Sequence, residues 1–147
     1  MDDNDERVLD FLMENGEPPV WRSIALAVAR HRDRSRAISF LLARIAEGIS
    51  PVANFYQAIG MLSAPECAPI LREALLRHRQ EIEVHPFVHA WHDRFIYLDY
   101  LSCSATLFRI TRQQEYRDIL DAMLRHPDRI VSQLARTVAT TSGLTKG

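Results

Sequence analysis

The amino-acid sequence predicts an all-α fold of about eight short helices arranged in pairs. Apolar residues recur at the spacing of helix turns along most of the chain. Proline and glycine interrupt these apolar stripes at short intervals, as they do where helices begin and end. No alternating run of β-branched residues is flanked by turn signals, so no strand is expected. The 147 residues have the length of one domain, and we expect a single helical domain over residues 1–147.

The first three predicted helices are bounded by clear stop signals. Residues 3–15 form the first, and Gly16 ends it at a position that favours glycine. A Pro-Pro pair begins the second, over about 18–30, because proline is well suited to a first turn. The third runs over about 34–47 and stops at Gly48. The predicted inward residues are Val8, Leu9, Leu12 and Met13, then Trp21, Ile24, Ala25, Val28 and Ala29, then Ala37, Ile38, Leu41, Leu42 and Ile45.

Five more helices are predicted in the remainder of the chain. They are a fourth after Ser50-Pro51, a fifth over about 64–80, a long sixth over about 90–110, a seventh over 113–125 and an eighth from Pro127 to about Thr140. Residues 80–94 are interpreted as an insertion between helices, and residues 141–147 as a flexible tail.

Residues 54–76 are similar to one unit of a HEAT repeat, the building block of armadillo-type α-solenoids. Two short helices are joined by a tight turn at Ala64-Pro65-Glu66, with small and aliphatic residues on the first helix and leucines on the second. A looser resemblance covers about residues 18–140. It implies a short right-handed α-α superhelix of about eight helices, in which each helix pair buries its apolar face by stacking on its neighbours.

Composition places the chain among soluble proteins of a reducing compartment. Its content of 47% hydrophobic and 25% charged residues is ordinary for a globular domain, and no transmembrane helix is predicted. The first residues are acidic, unlike a secretory signal. Cys67 and Cys103 are isolated and suggest reduced core residues rather than a disulfide. We therefore expect a cytoplasmic location.

Charge is distributed unevenly between the first two segments. Residues 1–17, interpreted as an acidic N-terminal capping helix, carry seven acids against one arginine, a net charge of −6. Residues 18–48 carry six arginines against two acids, a net charge of +4. One interpretation is that the acidic helix neutralises the neighbouring basic turn within the fold. The other is a charged face that steers a partner protein.

The segment after the predicted insertion is rich in aromatic residues and provides the first candidate binding surface. One stripe is expected to face the core: Trp91, Phe95, Leu98, Ala105 and Phe108. A second stripe, on another face of the same helix, consists of His89, Asp93, Tyr97 and Tyr100. Aromatic side chains with a polar tip are frequent at interfaces, so this stripe is expected to be partly exposed and to contact a partner. The alternative is a central helix whose hydroxyl groups are bonded internally.

The basic turn provides the second candidate surface. Phosphate groups or a partner protein could contact its arginines, which are Arg30, Arg32, Arg34 and Arg36. Because their side chains fan out and the overall charge is −1, nucleic-acid binding is not expected.

No cofactor, metal or catalytic residue is predicted. His85, His89 and His92 lie close together, but Pro86 disrupts the helical geometry that a zinc pair at this spacing needs. The sequence contains no nucleophile elbow, phosphate-binding loop or glycine-rich dinucleotide motif.

These observations favour a non-catalytic protein-binding module, such as an immunity or adaptor protein that sequesters a partner. The resemblance also leaves open a HEAT-like enzyme of the bilin-lyase or DNA-glycosylase type, or a nucleic-acid binder. The enzyme alternative predicts a deep apolar pocket with an acid or histidine at its floor, whereas a binding module predicts a broad, shallow, charged surface. Self-association through the ends of the stack is a third hypothesis.

Overall fold

The computed structural model describes residues 1–144 and contains only helices, turns and connections within that range. The all-α prediction is confirmed. The α-helices are α1 (Asp3–Asn15), α2 (Pro18–Val28), α3 (Arg34–Glu47), α4 (Ala53–Leu62), α5 (Ala68–Val84), α6 (Asp93–Thr111), α7 (Gln114–Leu124) and α8 (Arg129–Thr141), with one 3₁₀ turn at Pro65–Cys67 between α4 and α5.

Two turns of the chain share a sequence motif and a structure. Arg-His-x-Asp-Arg occurs at residues 30–34 and again at 125–129. In each, the Asp N–H donates to the Nδ1 atom of the preceding histidine, at 2.9 Å for Asp33 and His31 and 3.0 Å for Asp128 and His126. The same Asp side chain accepts a backbone N–H from the first turn of the next helix, α3 or α8. The motif therefore caps both helices.

The helices pack in two rows. In one row α2 contacts α4, α4 contacts α6 and α6 contacts α8, while α1 covers the free side of α2. The second row is formed by α3, α5 and α7, with α3 against α4 and α5, and α7 against α6 and α8. Helix α5 packs more closely on α6 than on α4, the helix that it follows. Helix α6 is thus central, with α4, α5, α7 and α8 around it.

The core contains most of the residues that helical spacing placed there. Fully buried examples from three helices are Leu41, Leu71 and Leu120. Trp91 is a correction, because it was expected to face the core and is 70% exposed. It lies in the connection before α6, where helical periodicity does not apply, and the Arg94 guanidinium lies 4.2 Å from its ring centre.

The predicted insertion is shorter than residues 80–94. Residues 80–84 are the last part of α5, and only 85–92 lie outside helices. Helix α6 begins at Asp93 rather than near residue 90, because the Asp93 carboxylate accepts the backbone N–H groups of His89 and Ala90, both at 3.0 Å. These bonds hold the residues before Asp93 in a turn.

The end of the described chain is anchored at Leu144. Its carbonyl oxygen accepts a hydrogen bond of 2.6 Å from Arg117 Nη1, and its side chain packs against the core cluster formed by α6, α7 and α8. The part of the predicted flexible tail from 141 to 144 is thus fastened to α7, while residues 145–147 lie outside the described residues.

Candidate partner-binding surface

The aromatic stripe of α6 is buried, and the expectation that it is exposed is wrong. Asp93, Tyr97 and Tyr100 are each at most 5% exposed, and only His89, in the connection before α6, is exposed. The physical reason is the central position of α6, which is covered by four other helices. Two different stripes of one helix can both face inward when neighbours surround it.

The buried members of this stripe fasten the 85–92 connection. Tyr97 Oη donates to the His85 carbonyl oxygen at 2.6 Å. The backbone N–H groups of Ala90 and His89 hold the pKa of Asp93 below its usual range, with a smaller contribution from nearby histidines. The described residues contain no group of three or more side chains suited to hold a metal ion.

The basic turn is largely neutralised by the acidic first helix. Arg32 pairs with Asp3 and lies 3.5 Å from a Glu6 carboxylate oxygen. Arg36 Nη2 lies 2.6 Å from Glu14 Oε1. These contacts agree with the interpretation in which α1 compensates the turn.

The other two arginines of the turn differ from each other. Arg34 Nη1 donates to Glu66 Oε1 at 2.7 Å, and this bond lowers the pKa of Glu66. Arg30 is exposed and makes no ion pair within residues 1–144. Three of the four predicted arginines are therefore engaged within the chain, which reduces what the turn could offer to phosphate groups.

Buried titratable groups lie between α4, α5 and α6. Tyr56 Oη and His78 Nε2 are hydrogen-bonded at 2.7 Å, and burial lowers the pKa of His78 to about 4. Cys103 Sγ donates to the Leu71 carbonyl oxygen at 3.3 Å, and burial raises the pKa of this thiol. A neutral imidazole and a protonated thiol in these contacts stabilise the packing of the three helices rather than present a nucleophile.

Asp99 of α6 is a buried carboxyl group that the sequence did not single out. Its Oδ2 atom accepts from Ser50 Oγ at 2.6 Å and its Oδ1 atom from the Val52 N–H at 2.8 Å, so it holds the start of α4. Burial raises the pKa of Asp99 to about 6, although both hydrogen bonds act in the opposite direction.

Asp99 and His78 should give opposite pH dependences to stability. Because the folded-state pKa of Asp99 is raised to about 6, its contribution to the free energy of unfolding falls as pH rises from about 4 to about 6. The folded-state pKa of His78 is lowered to about 4, so its contribution rises over about pH 4 to 6.5. The two slopes partly cancel in the natural protein.

Asp99→Asn should therefore make stability rise more steeply with pH. An amide keeps the shape and can accept from Val52 N–H, while the Ser50 hydroxyl can turn to accept from it. Relative to the natural protein, the variant's free energy of unfolding should increase by on the order of 2 kcal/mol between pH 4 and 6.5. Urea titrations at several pH values measure this, and parallel curves for the two proteins would contradict it.

An open groove of about 370 Å³ runs between α5 and α7. Its apolar part contains the buried Leu75 and Tyr116, the half-buried Ile119 and Leu76, which is 56% exposed. Leu76 therefore extends the apolar lining of the groove to the solvent.

Two arginines lie along the α5 side of this groove. Arg72 is held by two hydrogen bonds, from Nε to Tyr116 Oη at 3.0 Å and from Nη2 to Gln113 Oε1 at 3.3 Å. Arg79, two helix turns further on, makes no ion pair or side-chain hydrogen bond with the part of the chain that the structure describes. The groove thus has an apolar floor beside two arginines whose backbone positions are about 10 Å apart along the helix. Glu115 is an acid at its edge.

The sequence contains a signal for this groove. Arg72, Leu76 and Arg79 follow one another at i, i+4 and i+7, an exposed stripe with one apolar residue between two cations. What the spacing could not show is that Tyr116 of α7, 44 residues away, lies opposite and holds Arg72.

In comparisons with known proteins, no family model matches this chain, and no curated protein or solved structure matches it significantly. Within residues 1–144, none of the helices has the length and apolar character needed to cross a membrane.

Proposed function

We propose that this protein is a non-catalytic module that binds a partner protein through the groove between α5 and α7. The supporting observation is that the exposed apolar side chain of Leu76 lies between two arginines in one groove. Arg72 is fixed by a hydrogen bond to Tyr116, and Arg79 makes no ion pair within residues 1–144. Arginine is enriched among the residues that dominate protein interfaces, and the buried centre of an interface is apolar.

The charge of the groove favours an acidic partner surface. Arg72 is already oriented by Tyr116 and Gln113, so little side-chain entropy would be lost when a carboxylate binds it. An adaptor or immunity protein that sequesters one partner would use a surface of this kind. We place this binding in the cytoplasm, since Cys67 and Cys103 are both free and buried.

An enzyme of the HEAT-like class is the alternative function. It requires an acid or histidine at the floor of a deep apolar pocket. The α5–α7 groove is open to solvent, and its floor is formed by Leu75, Tyr116 and Ile119. The buried His78 and Asp99 do not line it. The groove is therefore better suited to contact with another protein than to chemistry.

Site-specific photo-crosslinking in native cells tests this proposal. A photoreactive side chain in place of Leu76 should give a crosslinked species of defined mass. The same side chain in place of Gln133, an exposed residue of α8, should not give it. Arg79→Glu should reduce the yield of that species about tenfold or more, because a charge reversal at an interface arginine costs over 1.4 kcal/mol.

The charge variant also provides the control. Arg79 makes no side-chain contact that the reversal would break within residues 1–144, so its melting temperature should stay close to that of the natural protein. Identical crosslinks from positions 76 and 133, or a species indifferent to Arg79→Glu, would contradict binding at this groove.

A further inference from the structure

The first helix has one acidic face that is used within the chain. Four of its acids lie on one face and are directed at the turn between α2 and α3. The pairs are Asp3 and Glu6 with Arg32, Asp10 with His31 and Arg36, and Glu14 with Arg36. These contacts fix the rotation of α1 about its axis and decide which of its other faces meets solvent.

Another face of α1 carries exposed apolar side chains. It forms, with α2, a groove of about 380 Å³ at the N-terminal end of the stack. Its apolar lining consists of Met1, Val8, Leu9, Leu12, Ile24 and Ala27. Val8 is 53% exposed, although helical spacing placed it in the core, and the neighbouring Phe11 is 62% exposed.

An apolar surface at this position is unusual for a stack of helices. The terminal helix of such a stack normally presents a polar outer face, because no further helix covers it. Within residues 1–144, α2 is the only helix that packs extensively on α1. The outer face of α1 carries the exposed side chains of Val8 and Phe11. Exposed apolar area of this kind indicates a surface that another molecule covers.

The groove carries one charged residue of each sign. Asp5 of α1 lies on one wall and Arg30, in the turn after α2, lies on the other. Neither forms a salt bridge inside the described part of the chain. One acid and one base around an apolar centre make a self-complementary surface, which a two-fold interface requires.

We propose that the α1–α2 face binds a second copy of this chain in a two-fold dimer. Asp5 of each copy pairs with Arg30 of the other, and the apolar stripes of the two helix hairpins pack together as four helices. Helix α1 has 13 residues and is roughly 20 Å long, so the interface is at the small end of specific interfaces. A dissociation constant in the micromolar range is expected.

Sedimentation equilibrium with charge reversals tests this dimer. The natural protein should show a monomer–dimer equilibrium between about 1 and about 100 μM. Asp5→Arg and Arg30→Asp should each weaken the dimer about tenfold, since each sets like charges opposite one another. The double variant, Asp5→Arg with Arg30→Asp, should restore it, because the two side chains exchange roles across the interface.

Two further variants separate this surface from the α5–α7 groove and from misfolding. Val8→Asp should abolish the dimer, whereas Leu76→Asp should leave it unchanged. Circular dichroism melts should show all these variants folded, since the replaced side chains are exposed. A natural protein that stays monomeric at the highest concentration, or a double variant no tighter than the single ones, would overturn the proposal. The groove experiment is unaffected by either outcome.

Discussion

Replacing Leu71 with Ala should lower the free energy of unfolding by about 2 to 5 kcal/mol, and Leu120→Ala should cost a similar amount. Both side chains are fully buried, Leu71 in the main core cluster and Leu120 in the cluster shared by α6, α7 and α8. Each substitution removes apolar contacts and leaves a cavity that a close-packed interior fills only in part. Chemical denaturation with both variants measures the loss.

Leu76→Ala is a matched control for this experiment. Leu76 belongs to the same helix as Leu71 but is exposed, so the same chemical change should alter stability by at most about 0.5 kcal/mol. Equal losses for Leu71→Ala and Leu76→Ala would mean that the face of α5 directed at the core is assigned wrongly.

Tyr97→Ala should destabilise the protein by about 3 to 5 kcal/mol, as expected for removal of a large buried aromatic side chain. Tyr97 is completely buried, and its hydroxyl group donates to His85 in the connection before α6. Tyr97→Phe keeps the ring and loses only that hydrogen bond, so it should cost about 1 kcal/mol. Thermal or urea unfolding of the two variants separates the packing contribution from the hydrogen bond.

The same variants decide what the aromatic stripe of α6 does. If it belongs to the core, the folded fraction of Tyr97→Ala should give the Leu76 crosslink with unchanged efficiency. His89→Ala, at the only exposed member of the stripe, should change neither stability nor crosslinking. If the Tyr97→Ala protein were stable but no longer gave the crosslink, the binding surface would have to include this stripe.

Local sequence signals were sufficient for the helices and for most of the core. Gly48 ends α3 with a φ angle of 69°, as the position of a glycine after a periodic stripe predicts. Stripes such as that of Ala37, Leu41 and Ile45 are buried as their spacing predicts. These features depend on backbone geometry within a few residues, which the sequence alone specifies.

Signals that depend on context were misjudged near residue 90. The sequence places Trp91 in a helix, but Asp93 accepts the N–H groups of His89 and Ala90 and starts α6 three residues later. An Asp side chain can lie within a helix or accept hydrogen bonds from the backbone of a turn, and a single sequence does not show which of the two occurs.

The sequence by itself determined that this protein is helical, where most of its helices lie and which residues of most apolar stripes are suited to a core. Only the tertiary structure decided which faces remain available to a partner. Periodicity shows that α6 has two stripes but not that four helices cover both. The sequence shows that α1 is acidic. It does not show that Arg32 and Arg36 form ion pairs with one face of α1 while Val8 remains exposed on another. Exposure results from contacts between residues far apart in the chain, and no local pattern contains that information.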